Sequence, residues 1–179
     1  YISNPHAVAA ALKRPIPEKP FRQTSLGTIF HSWVENRTAP TSYLDIIDAH
    51  PLEMDDSDAV SDDELTLRTL KETFERSAWA TRRPVAVELE INVPFAGNIF
   101  ICKIDAIYEI EGSSPQRFEI VDWKTGRPPR DKTDLELKQL QLALYRMAYA
   151  RWAGIPEEHI DAVFYFVADD VIIRPERLY

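Results

Sequence analysis

The chain has 179 residues, 45% apolar and 28% charged, ordinary values for one soluble globular domain spanning residues 1–179. No window approaches the ~18 uninterrupted apolar residues of a membrane span, and one cysteine, Cys102, excludes an intrachain disulfide or a four-thiolate iron–sulfur cluster built from this chain. The net charge of −8 looks wrong for a protein that meets nucleic acid. Nine acids and no Lys or Arg fall between Asp45 and Leu67, however, and without them 20 acids face 21 bases.

The start, YISNPHAVAAALKRP, has no apolar run followed by a cleavage site, so no signal peptide is expected. With no initiator Met the sequence reads like a segment of something longer, in a reducing, cytosolic setting. Residues 13–21 are Pro-rich and expected to run extended. A helix is predicted from Thr24 or Ser25, with Leu26, Ile29, Phe30, Trp33 and Val34 on one stripe, ending near Thr38–Pro40. Residues 45–64 then form an acidic loop, either solvated or a docking surface for a basic partner. Ser61-Asp62-Asp63-Glu64 is a capping-box pattern opening a second helix, with Leu67, Leu70 and Phe74 inward.

After Pro84 the period shortens to two. Val85, Val87, Leu89, Ile91 and Val93 alternate with Glu88, Glu90 and Asn92 in a half-buried strand. Further strands are predicted at Ile99–Glu109 and Phe118–Lys124, separated by turns at 94–97 and 111–115. A third helix runs from about Leu135 to Trp152 with Leu140, Ala143, Leu144 and Met147 on its apolar side, and strands follow at Ile160–Val167 and Val171–Arg174. The order implies an α/β fold with a central mixed sheet flanked by helices.

Asp122 and Lys124, two apart on the third strand, project from the face that carries Phe118 and Ile120. Such a pair is either a structural salt bridge or a catalytic one. If the turn at 111–116 makes the second and third strands antiparallel neighbours, counting inward from it brings Asp105 opposite Asp122. Two converging carboxylates repel and want a divalent cation, and oxygen ligands beside a lysine suit Mg²⁺ or Mn²⁺. Gly27, His31 and Glu35 fall at i, i+4 and i+8 on the first helix. His31 reads as a packed side chain or as a ligand. Gly27, which costs about 1 kcal/mol against Ala inside a helix, points to close approach of another group. Gln141 and Tyr145 are four apart on the third helix.

In order, Gly27-Thr28-x-x-His31-x-x-x-Glu35, Asp105, Asp122-Trp123-Lys124-Thr125-Gly126 and Gln141-x-x-x-Tyr145 resemble the RecB-type nucleases of the PD-(D/E)xK superfamily. The opening Lys-Arg-Pro-Ile-Pro, the run Phe30–Glu35 and Val121–Arg127 look closest to nuclease domains fused behind UvrD-like helicase motors in actinobacterial repair enzymes. The resemblance implies that His31, Asp105, Asp122 and the main-chain carbonyl of Trp123 hold a metal, Mg²⁺ or Mn²⁺. It makes Asp105, Asp122 and Lys124 catalytic, with Lys124 orienting the attacking water and stabilising charge on the scissile phosphate. Gln141 and Tyr145 would line the site and touch DNA or support Lys124. It further implies a metal-dependent DNA nuclease, an exonuclease acting on single-stranded or frayed ends beside a helicase motor, in the nucleoid-associated cytoplasm of a bacterium.

Cys102, where family members often carry Gly, reads as packing, and the iron–sulfur staple of several relatives is not expected here. Arg127, Arg130 and Lys132 follow the Asp-x-Lys strand, and they either grip phosphates together with Arg146 or form a solvated loop. Two other readings stand beside the active nuclease: a degenerate nuclease fold kept for DNA binding or scaffolding, and a generic α/β domain whose Asp–Lys pair is structural.

Overall fold

Ser61 starts a helix within the acidic run: its hydroxyl accepts from the Glu64 amide at 3.2 Å, and Asp62, Asp63 and Glu64 fill the first turn, where the helix dipole favours negative charge. The chain is described here by a computed structural model that covers residues 22–38, 61–95 and 98–174. The expected acidic loop at 45–64 lies outside them except for these capping residues, as does the Pro-rich stretch at 13–21.

Two helices, α1 (Arg22–Thr38) and α2 (Asp62–Arg76), are followed by three strands, β1 (Ala86–Phe95), β2 (Asn98–Ile110) and β3 (Arg117–Lys124). A long helix, α3 (Lys132–Ala153), leads to β4 (Ile160–Phe166) and the short β5 (Val171–Ile173). The sheet order is β1-β2-β3-β4-β5, antiparallel throughout except for β3 and β4, which are parallel and joined through α3. Every predicted element is present. The third helix starts three residues earlier than expected because Asp131 caps it, accepting from the Asp134 amide at 2.9 Å, and it stops at Gly154, whose φ of +68° suits a residue without Cβ.

The sheet separates two cores. On one face Phe30 and Val34 of α1 and Leu70 and Phe74 of α2 meet Trp79, Tyr108, Val121, Trp123 and Tyr165. Arg37 clamps the two helices, its guanidinium forking onto both Glu75 oxygens at 2.9 and 2.6 Å. The other face packs α3 on Ile91, Val93, Cys102, Ile104, Ile120 and Phe164. Cys102 is buried there, in the packing role expected of it.

The buried side of α3 differs from the expected one. Leu142, Ala148 and Tyr149 are buried and Tyr145 packs against them, whereas Leu140 is 60% exposed and Leu144 37%. The inward stripe includes polar Gln141, which has a partner in the sheet, so a count of apolar residues selects the wrong face. Ile29 on α1 is likewise 47% exposed.

A fork in the sheet positions everything that follows. The β2–β3 ladder runs from Ile110↔Arg117 to Ala106↔Val121 and stops. Beyond it β2 continues with β1 alone, and β3 continues beside β4 as far as Lys124↔Phe166.

Candidate metal centre

Asp105, Asp122, Trp123 and Lys124 sit where the strands part. Carrying the ladder one pair past Ala106↔Val121 puts Asp105 opposite Asp122, the register counted from the turn. Strand separation leaves the Trp123 N–H without a ladder partner, and Asp105 Oδ2 accepts it at 2.8 Å. The Trp123 ring points into the aromatic core, with ring centroids of Phe74 at 5.3 Å, Trp79 at 5.5 Å and Tyr165 at 6.0 Å. That packing fixes its peptide group, and the Trp123 carbonyl faces α1, where His31 Nε2 lies 3.1 Å away.

His31 gives Nε2–H to that carbonyl, and its Nδ1 lies 3.5 Å from both Asp105 Oδ1 and Glu88 Oε1. Burial by itself would lower the imidazole pKa. The Asp105 hydrogen bond and charge, with Glu88 and Asp122 behind it, outweigh burial and hold it above the ordinary 6.5.

Asp122 is almost completely buried. Lys124 Nζ stands 2.6 Å from its Oδ2, and Gln141 Nε2 donates to its Oδ1 at 3.0 Å and to the Tyr145 hydroxyl oxygen at 2.7 Å. Burial first, and the neighbouring Asp105 charge second, push the Asp122 carboxyl up to about 6 despite Lys124. Burial likewise pushes the Tyr145 hydroxyl up to about 12. At neutral pH it is a fixed neutral group beside the pair.

Glu88 is the residue that strand alternation placed among the solvent-facing positions. It lies between the pairs Val87↔Ala106 and Leu89↔Ile104, level with Asp105, and has φ +50° within a strand. A non-glycine residue there is strained by about 1–3 kcal/mol. The twist turns its carboxylate toward His31 and Asp105. Counting around the β1–β2 turn, as was done around the β2–β3 turn, would have found it. His31, Glu88 and Asp105 bring one ligand atom each to within 4.8 Å of one another.

Gly27 has a counterpart too. A Cβ there would sit 3.3 Å from Thr125 Oγ1, so the helix approaches the residue after Lys124 as closely as a glycine allows. Arg127 and Arg130 are exposed and line a cleft of about 600 Å³ with Thr125, Gly126, Leu26 and Leu70. Arg146 is not among the available cations: it is 6% exposed and faces Glu157 at 3.7 Å, so the expectation that it grips phosphate is corrected.

Compared with known families, residues 6–178 match the model of the PD-(D/E)XK nuclease superfamily. The chain belongs to that superfamily. It is a nuclease-superfamily domain with an α/β fold, a five-stranded mixed sheet and flanking helices. None of the curated proteins compared with the chain matches it. Among the described residues no helix is long and apolar enough to cross a membrane.

Nucleases of this superfamily use divalent metals, and the donor set here suits one. Three carboxylates, Glu88, Asp105 and Asp122, converge, and the acid buried deepest keeps its proton up to about pH 6. Carboxylate oxygens crowded together are donors that a hard divalent cation takes, and one imidazole is within its range.

Proposed function

We propose that this domain is an active metal-dependent DNA nuclease, RecB-type, and the cutting module of a larger helicase-nuclease in DNA repair or recombination. The supporting observation is the meeting of His31, Asp105, Asp122, the Trp123 carbonyl and Lys124 at one strand fork. A degenerate domain is expected to have lost one of these groups or scattered them.

In this reading His31, Asp105, Asp122 and the Trp123 carbonyl hold Mg²⁺ or Mn²⁺, with Glu88 within reach. Bound there, the cation supplies Lewis-acid charge and a more acidic water. Hydrolysis adds a water oxygen to phosphorus, breaks one P–O ester bond and returns a proton to the leaving oxygen. Lys124, at the open edge of the Asp122 pair, steers the water and carries positive charge to the phosphate oxygens as negative charge builds there. Gln141 orients Asp122, with Tyr145 behind it and both beside the DNA. Arg127 and Arg130 grip neighbouring phosphates.

With Arg146 buried, these phosphate contacts are few. A tethered helicase motor that delivers a strand raises the local DNA concentration and makes tight intrinsic binding unnecessary. Single-stranded or frayed ends, cut as an exonuclease would, are therefore the proposed substrate, in the nucleoid-associated cytoplasm of a bacterium. The test is digestion of end-labelled single- and double-stranded DNA with Mg²⁺, Mn²⁺ and Ca²⁺ compared. Metal-dependent cutting with Mg²⁺ or Mn²⁺, lost in Asp122→Ala, supports the reading; DNA left intact under all three leaves the degenerate, DNA-binding alternative.

A further inference from the structure

Glu88 has a partner outside the reactive set. Lys103, on the strand beside it, places Nζ 2.5 Å from Glu88 Oε2 while Glu88 Oε1 faces His31. Glu90 opposes Lys103 in the β1–β2 ladder, and Glu35 lines the same cleft. The cleft here has a volume of about 270 Å³ and is lined by Gly27, His31, Glu35, Glu88, Lys103 and Asp105, room for several waters. Space therefore does not exclude a cation on the Glu88 side. A positive charge is already in place.

Resting on the nuclease reading above, we infer that Lys103 is a resident counter-cation which restricts the centre to one divalent ion. Asp105 stands between two flanks. Lys124 covers Asp122 on one, and Lys103 covers Glu88 on the other. The Asp122 flank is buried, and the Trp123 carbonyl and His31 stand beside it. The Glu88 flank is more open, and the ammonium neutralises the one carboxylate that, with Asp105, would form a second position. A divalent ion there would have to displace Lys103 from Glu88 or sit beside the ammonium, and like charges a few ångströms apart repel. Lys103 is a positioning residue: it acts through Glu88 and need not touch the substrate.

The test is Mn²⁺ stoichiometry on the 179-residue chain, read by electron paramagnetic resonance of free Mn²⁺ at pH 8, without DNA. The wild type is expected to bind one Mn²⁺ and Lys103→Met two, the second disappearing again when Glu88→Gln is added. Lys103→Arg, which keeps the charge, is expected to stay at one and guards against a folding effect of the methionine. Two ions in the wild type, or one in Lys103→Met, would overturn the inference, the latter reducing the pair to an ordinary surface contact. The readout is independent of turnover. A wild type that cuts DNA beside a Lys103→Met chain that still binds one Mn²⁺ removes this inference alone, whereas a wild type that binds none and cuts nothing removes the nuclease reading with it.

Discussion

Lys124–Asp122 and Lys103–Glu88 are nearly the same contact, 2.6 and 2.5 Å from ammonium to carboxylate, set on either side of Asp105. Their surroundings differ. The Asp122 side chain is 2% exposed and its lysine 31%; Glu88 is 10% exposed and its lysine 55%. Charge interactions strengthen as water is removed, but so does the cost of holding the charge. The deep pair therefore contains a carboxyl raised to about 6, while the shallow pair raises the pKa of its lysine instead. One geometry yields a carboxyl that resists ionisation where it is dry and a local charge balance where it is wet.

Breaking the deep pair should have the largest effect. Asp122→Ala is expected to abolish DNA cleavage in an end-label assay while the fold persists. Because burial opposes ionisation of this side chain, the metal-free mutant is expected to melt above the wild type at pH 8 in a calorimetric scan. Lys124→Ala should still bind Mn²⁺ in a calorimetric titration at that pH but lose turnover by about 10²–10³-fold, the usual loss when one preorganised charge-stabilising donor is removed. The matching change in the shallow pair, Lys103→Ala, sharpens the contrast: its turnover should change by less than about tenfold, as for an exposed ion pair. A loss as large as that of Lys124→Ala would mean that depth does not separate the two.

Gln141→Leu removes the hydrogen bond to Asp122 Oδ1 and leaves both charges in place. Hydrogen bonds to charged groups contribute about 1.5–3 kcal/mol, so a drop in kcat of roughly ten- to a hundredfold is expected in the same cleavage assay.

The deep pair should also show in pH dependence. An acid whose pKa is higher folded than unfolded binds its proton more tightly in the native state. Asp122 therefore contributes stability at low pH that is lost as pH rises from the usual 3.8 through about 6. Denaturant titrations of the metal-free wild type should show that decline, and Asp122→Asn should flatten it. Mn²⁺ affinity should rise over the same interval, as the competing proton leaves. The smallest effect expected is from Gly27→Ala. The gain of about 1 kcal/mol in helix propensity is offset by a Cβ 3.3 Å from Thr125 Oγ1, so thermal melting should move little while cleavage slows through displacement of the loop after Lys124.

Where local pattern and tertiary environment agree, the fold was readable. Alternation found β1, turn residues and the runs between them found β2 to β5, the Ser61 box found the start of α2, and counting from one turn brought Asp105 to Asp122. It failed where one contact overrides a pattern. Gln141 turns inward for Asp122, carrying the buried face of α3 away from Leu140 and Leu144. Glu88 keeps its alternating place in β1, level with Asp105, but His31 of α1 rather than solvent stands over that face, and alternation alone does not say what covers a face. Arg146 looked like a surface cation and is buried; its partner Glu157 lies beyond the end of the helix, outside the spacing at which helical pairs are read.

The parting of β2 from β3 has a spectroscopic consequence. In a continuous sheet the Trp123 amide would report only on backbone pairing. Here its proton is held by Asp105 Oδ2, so its nitrogen and proton resonances, and its exchange with deuterium, follow what that carboxylate binds. A single isotope-labelled tryptophan position gives a view of the candidate metal centre from inside the backbone, without substrate and without altering a side chain.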